Sequence, residues 1–370
     1  MKQRNAFTII ELLVVVAIIS LLIAILLPAL GRARDAALVT QSQGNLRNMA
    51  AANATYGADY SDRQFTASAD DMGLAQGNCQ LYLDTIGCMG QQILGWDGTQ
   101  QQGLWGYWLG QGQMCPPNYP GNCGNWIVYW PNSFNFTGTD GGFGYYRMPN
   151  VKAFNNYVGG RFYDKAFIAP KDKLTLERAE EGISYPGEFL PPPPPPARPV
   201  VYSTYVWGPA QLWAPDVFNR RNATVPANPG QSLPSAFKCP SQGQAKYSEL
   251  KSRMFEIYWL QNQDGGPTNP SFGGQQQWYY NQGNNSAPNV LFFDGHVGVA
   301  GVAQAMDDDR RLRKQQESAT FPQKGIWHTG VAGAGANGFF QAYGFDMLAD
   351  TSYMMFTVDG IMGRDALEAK

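Results

Sequence analysis

Residues 12–30, LLVVVAIISLLIAILLPAL, contain no ionisable side chain, and Ser20 is their only hydroxyl. As a helix this run is about 28 Å long, close to the hydrocarbon thickness of a bilayer. The pattern then changes. Leu38, Leu46, Met49, Tyr56 and Tyr60 recur at spacings of three or four, or their multiples, with Arg, Asn and Gln between them. That is the apolar stripe of an amphipathic helix. The two patterns together predict one long helix, apolar all round in its first half and one-sided in its second. Pro28 falls inside it and is expected to kink rather than end it, because the periodicity resumes afterwards. Gly44 weakens the helix, and its end is expected between Gly57 and Asp62.

Further on, the pattern is weaker. Residues 63–160 are irregular and rich in Gly, Trp, Tyr and Asn, with short strands expected at 104–109 and 126–130. Residues 171–182 read as a short helix. Residues 191–196 are an uninterrupted proline run, which must be extended polyproline II and reads as a stiff surface loop. Residues 200–207 alternate like a strand, and 247–260 read as a short helix leading into a strand. The clearest hairpin is NVLFF-DG-HVGVA, where apolar β-formers flank Asp294-Gly295, the preferred pair for a two-residue type I′ turn. Residues 303–317 form a polar helix with Asp307, Asp308 and Asp309 early and Arg310, Arg311, Arg313 and Lys314 late, an order that suits the helix dipole.

Composition narrows the class. The 370 residues carry a net charge of −2 with only 15% charged, so no basic excess points to nucleic acid. Aromatics reach 13%, with 42 Gly and 25 Pro, which suits a loop-rich β-containing domain outside the cytoplasm. Ten Trp and nineteen Tyr among amides either fill a core or subunit interface, or present a platform for sugars. The five cysteines leave at least one free or paired between chains. Cys79 with Cys88, and Cys115 with Cys123, are near enough in sequence for local disulfides in an oxidising compartment; small buried thiols are the alternative.

Few residues invite chemistry. His296 follows Asp294-Gly295, but the pair reads as a turn with His296 opening the return strand. His328 has no motif around it. Two histidines without paired Cys spacing do not make a zinc site. Asp307, Asp308 and Asp309 lack the alternating spacing of a calcium loop. Phosphate-loop and nucleophile-elbow patterns are absent. Glu11, at the mouth of the apolar run, is more informative. A carboxylate inside lipid costs roughly 3 kcal/mol or more, so it calls for a partner such as a mature amino terminus. A secretory signal peptide fits poorly, because the run is too long and Pro28, Gly31, Arg32 and Arg34 follow it instead of a small-residue cleavage site. The basic lead-in with Lys2 and Arg4 suits a cytoplasmic start, although Arg32 and Arg34 keep charge counting from fixing orientation.

These N-terminal residues closely resemble the prepilin-type leader of type IV pilins and type II secretion pseudopilins. In that family a peptidase cuts before a Phe and methylates the new amino terminus, and Glu follows four residues later. The resemblance places the cut between Ala6 and Phe7, with Ala6 where the family usually has Gly, and puts Glu11 at the Glu position. Pro28 matches a proline common in pilin helices. The chain also resembles bacterial families abundant in planctomycetes that add a His, nine residues, then Asp-Gly. Here the Asp-Gly is Asp294-Gly295, Asn284 stands at the His position, and FKCPSQ at 237–242 is similar to their Cys-Pro element.

The resulting expectation is an α+β, pilin-like fold, with a long N-terminal helix packed on an antiparallel sheet. Residues 1–6 would be the leader, 7–30 the transmembrane and filament-core helix, 31–62 its amphipathic continuation, and 63–370 the globular domain. The resemblance implies a filament subunit with no catalytic role and no cofactor. Its partners would be prepilin peptidase, the inner membrane, the pilus or secretion machinery and further copies of itself. In the filament, Glu11 would pair with the Phe7 amine of an adjacent subunit. Before assembly the chain would cross the inner membrane once, with its globular domain outside the cytoplasm. The alternative is an anchored surface protein that binds glycans.

Overall fold

The computed structural model describes residues 9–65, 92–95, 105–107, 146, 149–150, 152–184, 203–222, 239–256, 287–316, 325–328 and 354–368. Helix α1 is continuous over Ile9–Asp59, 51 residues, and runs through both Pro28 and Gly44. Its apolar half hides its few polar groups locally. The Ser20 hydroxyl donates back to the Val16 carbonyl at 2.8 Å, the usual refuge for a hydroxyl in an apolar helix. The C-terminus of α1 uses left-handed residues. Ser61 and Asp62 have φ of 55° and 63°, and the Asp62 N–H donates to the Gly57 carbonyl at 2.6 Å. This is the wrap-around bond of a Schellman-type cap, made here without the usual glycine. Asp62 is held there from outside, since its carbonyl and carboxylate accept from the Gln242 and Gly243 amides.

Strands β1 (Gln92–Gly95) and β2 (Trp105–Tyr107) form a small antiparallel pair. β2 lies within the predicted strand at 104–109. Helices α2 (Lys152–Asn155) and α3 (Lys173–Ser184) follow, the latter close to the helix read at 171–182. The main sheet is four-stranded and fully antiparallel, in the order β3 (Tyr205–Trp207), β4 (Ser252–Glu256), β5 (Asn289–Phe292), β6 (Val297–Val299). Helix α4 (Val302–Gln315) follows the sheet, within two residues of its expected bounds. The chain is therefore α+β with a pilin-like architecture.

Three local expectations are corrected. Of the strand expected at 200–207, residues 203–207 are described and only Tyr205–Trp207 are strand, because Ser203 and Thr204 spend their polar groups on the Phe167 carbonyl and the Asp172 carboxylate. The helix expected from 247 is a run of turns ending in β4, which begins at Ser252. The hairpin turn is not type I′. The register Leu291↔Val297 continues to Phe292 and His296, leaving the three-residue loop Phe293, Asp294, Gly295. Within it only Gly295 has positive φ, 91°, and the Gly295 N–H donates to the Phe292 carbonyl at 3.1 Å. This is the three-residue hairpin in which a tight turn ends in one left-handed residue. The proline run at 191–196, the strand at 126–130, Asn284, and Cys79, Cys88, Cys115 and Cys123 lie outside the described residues. Cys239 packs partly buried against the core.

The described aromatics mostly build the core. Trp207 packs between Phe65 and Phe154, each with ring centroids at 4.9 Å, and Trp207, Trp213, Trp327, Tyr146 and Tyr205 are fully buried. The C-terminal segment 354–368 is tied across this core. It pairs through Thr357 with Trp327, donates from Asp365 N–H to the Leu250 carbonyl, and carries Asp359, whose carboxylate takes Arg220 at 2.7 Å.

Candidate functional site

The feature most unlike an ordinary soluble domain is the first half of α1. From Ile9 to Leu30 every large aliphatic side chain is exposed, between 46 and 83%. Contiguous apolar surface on this scale marks a membrane or an assembly interface, and the helix is long and apolar enough to cross a bilayer. Glu11 lies near its start.

The second half is docked. Ser42, Leu46, Met49, Ala52, Asn53, Tyr56 and Gly57 are buried, and the helix lies on β5 and β6. The predicted stripe is present at Leu46, Met49 and Tyr56. Tyr60, at its end, is 38% exposed and stacks on Tyr56 at 4.3 Å. Sequence reading missed the buried polar members of this face. Asn53 accepts from the Trp207 indole at 3.2 Å and donates to the Met49 carbonyl. Gln242 reaches from the loop before β4 to the Asn53 and Arg63 carbonyls.

Ser42 opens a polar seam between α1 and the sheet. Its hydroxyl bonds both Tyr205 and the Glu256 carboxyl. Glu256 also accepts from the Asn289 backbone at 3.0 Å and from its side chain. Burial pushes the Glu256 carboxyl up to about 7, although hydrogen bonds from Ser42 and Asn289 oppose the rise. Burial, then the neighbouring Glu256 charge, likewise raises the Tyr205 phenol. A carboxyl with no cation beside it among the described residues therefore sits in the joint that holds the helix to the domain.

Two further polar groups are buried on β4 and at its start. Lys251 and Asp365 form an ion pair at 2.6 Å, each side chain fully buried. Burial pushes the lysine down. Burial pushes the aspartate up, but Lys251's charge and its hydrogen-bond donors more than offset this and hold it below the usual carboxylate range. Arg253 is 5% exposed and lies 5.3 Å from the Phe293 ring, and its Nε and Nη2 find no acceptor among the described residues. Burial lowers it to about 9, with only the charge of Asp62 opposing.

The candidate chemical residues have structural employment. Asp294 Oδ1 accepts from the His296 backbone and meets its Nδ1 at 2.6 Å, which fixes the hairpin loop. The His296 ring stacks on Phe292 at 4.3 Å. His328 is fully buried, with Nε2 3.1 Å from the Asn219 carbonyl. The three aspartates of α4 point to different partners, as their consecutive positions require. Asp307 meets Arg310. Asp308 takes Gln304, Arg311 and the Leu367 amide. Asp309 takes Arg313 and the Ile326 amide.

Residues 1–27 match the family model described as the prokaryotic N-terminal methylation motif. This motif is consistent with a prepilin-type pilin or pseudopilin N-terminus. The matched residues include most of the apolar half of α1, so the bare helix carries the sequence of an N-terminal methylation motif. No curated protein and no solved structure matches the chain.

Proposed function

We propose that the protein is a subunit of a type IV pilus-like or type II secretion pseudopilus filament. The carrying observation is the division of one continuous helix into a bare apolar half bearing the methylation motif and a half docked on the sheet. Prepilin peptidase cuts between Ala6 and Phe7 on the cytoplasmic side and methylates the Phe7 amine. Until assembly the helix crosses the inner membrane once, with the domain on the far side. Assembly then exchanges lipid for neighbouring helices of the same kind. Glu11 pairs there with the Phe7 amine of an adjacent subunit, which offsets the cost of burying either charge. The role is architectural, not catalytic.

Intact-mass measurement and electron microscopy of native material test this. The expected result is a mature chain beginning at N-methylated Phe7 and forming helical filaments, with Glu11→Ala inserting normally but assembling poorly. A chain starting after residue 30, or dispersed anchored monomers, would overturn the reading.

A further inference from the structure

The interior holds a buried ion pair that the filament role leaves unused. Lys251 and Asp365 lie 114 positions apart in sequence, yet Nζ sits 2.6 Å from Oδ2 with both side chains closed off from solvent. The two carboxylate oxygens are held differently. Oδ1 accepts from the Trp327 indole N–H at 3.1 Å and from the Thr357 hydroxyl at 2.6 Å. Oδ2 accepts from the Ser252 N–H at 3.0 Å and its hydroxyl at 2.6 Å, as well as from Lys251. Nζ also donates to Thr357 Oγ1 at 2.7 Å. An amine is thus pressed against a carboxyl group with one oxygen in a two-donor cradle and the other beside a proton carrier.

We propose that Lys251 and Asp365 condense to an intramolecular side-chain amide, tying the start of β4 to the C-terminal segment. The ammonium passes one proton along its hydrogen bond to Oδ2 and becomes a neutral amine. The nitrogen lone pair then forms a bond to Cγ, and the charge that develops on Oδ1 rests on the Trp327 N–H and Thr357 O–H, which serve as an oxyanion hole. The Cγ–Oδ2 bond breaks. A second proton passes from the nitrogen to Oδ2, which Ser252 holds by its N–H and hydroxyl, and Oδ2 leaves as water. One carboxylate and one ammonium become one amide and one water, with no change of oxidation state and no co-reactant.

Three features favour the step. Burial drives Lys251 toward the neutral, nucleophilic amine. The reactants are fixed at contact distance, which replaces a bimolecular encounter with an intramolecular one. The product also removes two charges from a fully desolvated site, where an ion pair recovers little of its desolvation cost. The amide would close a covalent loop around β4, the β5–β6 hairpin, α4 and the C-terminal segment, a restraint that acts like a buried disulfide but resists reduction.

The wild-type full chain decides it. Under denaturing conditions its intact mass should be lighter by one water than the processed sequence requires. Digestion should yield one branched peptide joining Lys251 to Asp365. Lys251→Met should restore the full mass, and Asp365→Asn should give the same amide with loss of ammonia instead. Thr357→Val should slow formation in newly folded chain without preventing folding. Wild-type chain at full mass, with Lys251 and Asp365 recovered in separate peptides, would overturn the proposal, and that measurement does not depend on any variant folding.

Discussion

The two halves of α1 share one backbone and differ in what surrounds them. Leu22 is 53% exposed among aliphatic neighbours, whereas Leu46, twenty-four residues on, is fully buried between the helix and the sheet. Neither half is specified by helix propensity alone, since helices of this kind owe most of their stability to the face they bury. The docked half obtains that burial from its own domain. The bare half must obtain it from lipid or from other subunits. One element in two environments therefore explains why the domain is well packed while the first half of α1 has no packing of its own.

The largest effect should come from cutting the helix on either side of this division. A fragment starting at Arg32 loses the bare half but keeps Ser42, Leu46, Met49, Asn53 and Tyr56 on the sheet, so it should be soluble, folded and monomeric. A fragment starting at Ser61 uncovers the sheet face and the Trp207 indole bonded to Asn53, and it should aggregate. Size-exclusion chromatography separates the outcomes. Equal solubility of both fragments would mean that α1 is only a tether.

Single substitutions sharpen the same contrast. Leu46→Ala opens a cavity in a closed core and should cost about 2–5 kcal/mol of domain stability by chemical denaturation. Leu22→Ala should leave that stability unchanged and act, if at all, on membrane anchoring or filament yield. A comparable loss from both would show that the bare half is packed on the domain in solution.

The docking joint should also respond to pH. Glu256 titrates at about 7 when folded, against an ordinary 4.5, so the folded state prefers the neutral acid. Its contribution is complete below about pH 4.5 and is lost as pH rises through 7, a change of about 3 kcal/mol across that window. Asp172 adds to the rise. Glu256→Gln keeps a neutral amide in the seam and should flatten the stability profile between pH 4.5 and 8. An unchanged slope in this variant would move the titration to another group.

How much of this was readable in the sequence follows from the range of each interaction. The bare half, the Leu46–Met49–Tyr56 stripe, α4 and the β5–β6 hairpin announce themselves through local period and turn residues. Ser42 and Asn53 did not, because a polar residue on an apolar stripe ordinarily interrupts it. Their partners Glu256 and Trp207 lie 214 and 154 residues away. Lys251 and Asp365 were equally hidden, since no local pattern distinguishes a buried lysine from a solvated one. The C-terminal segment looked featureless because it carries little regular structure and is fixed instead by side chains such as Asp359 and Asp365. The turn type was misread for a different reason. Asp-Gly favours a two-residue loop, but strand register decides the loop length, and here it places Phe293 inside the loop.

That correction sets the smallest prediction. If the loop were type I′, both Asp294 and Gly295 would need positive φ. The structure requires it of Gly295 alone, at 91°. A Cβ at Gly295 would meet nothing within 4 Å, so Gly295→Val should cost backbone strain without a clash, about 1–2 kcal/mol. Gly295→Asn should recover part of this, because Asn tolerates the left-handed region better than a β-branched residue does. Asp294→Ala should cost less than Gly295→Val, since it loses the contacts with His296 but meets no conformational barrier. Thermal denaturation of the three variants ranks them. A cost at Asp294 equal to that at Gly295 would restore the two-residue turn, and with it a shift in the pairing of Phe292 with His296.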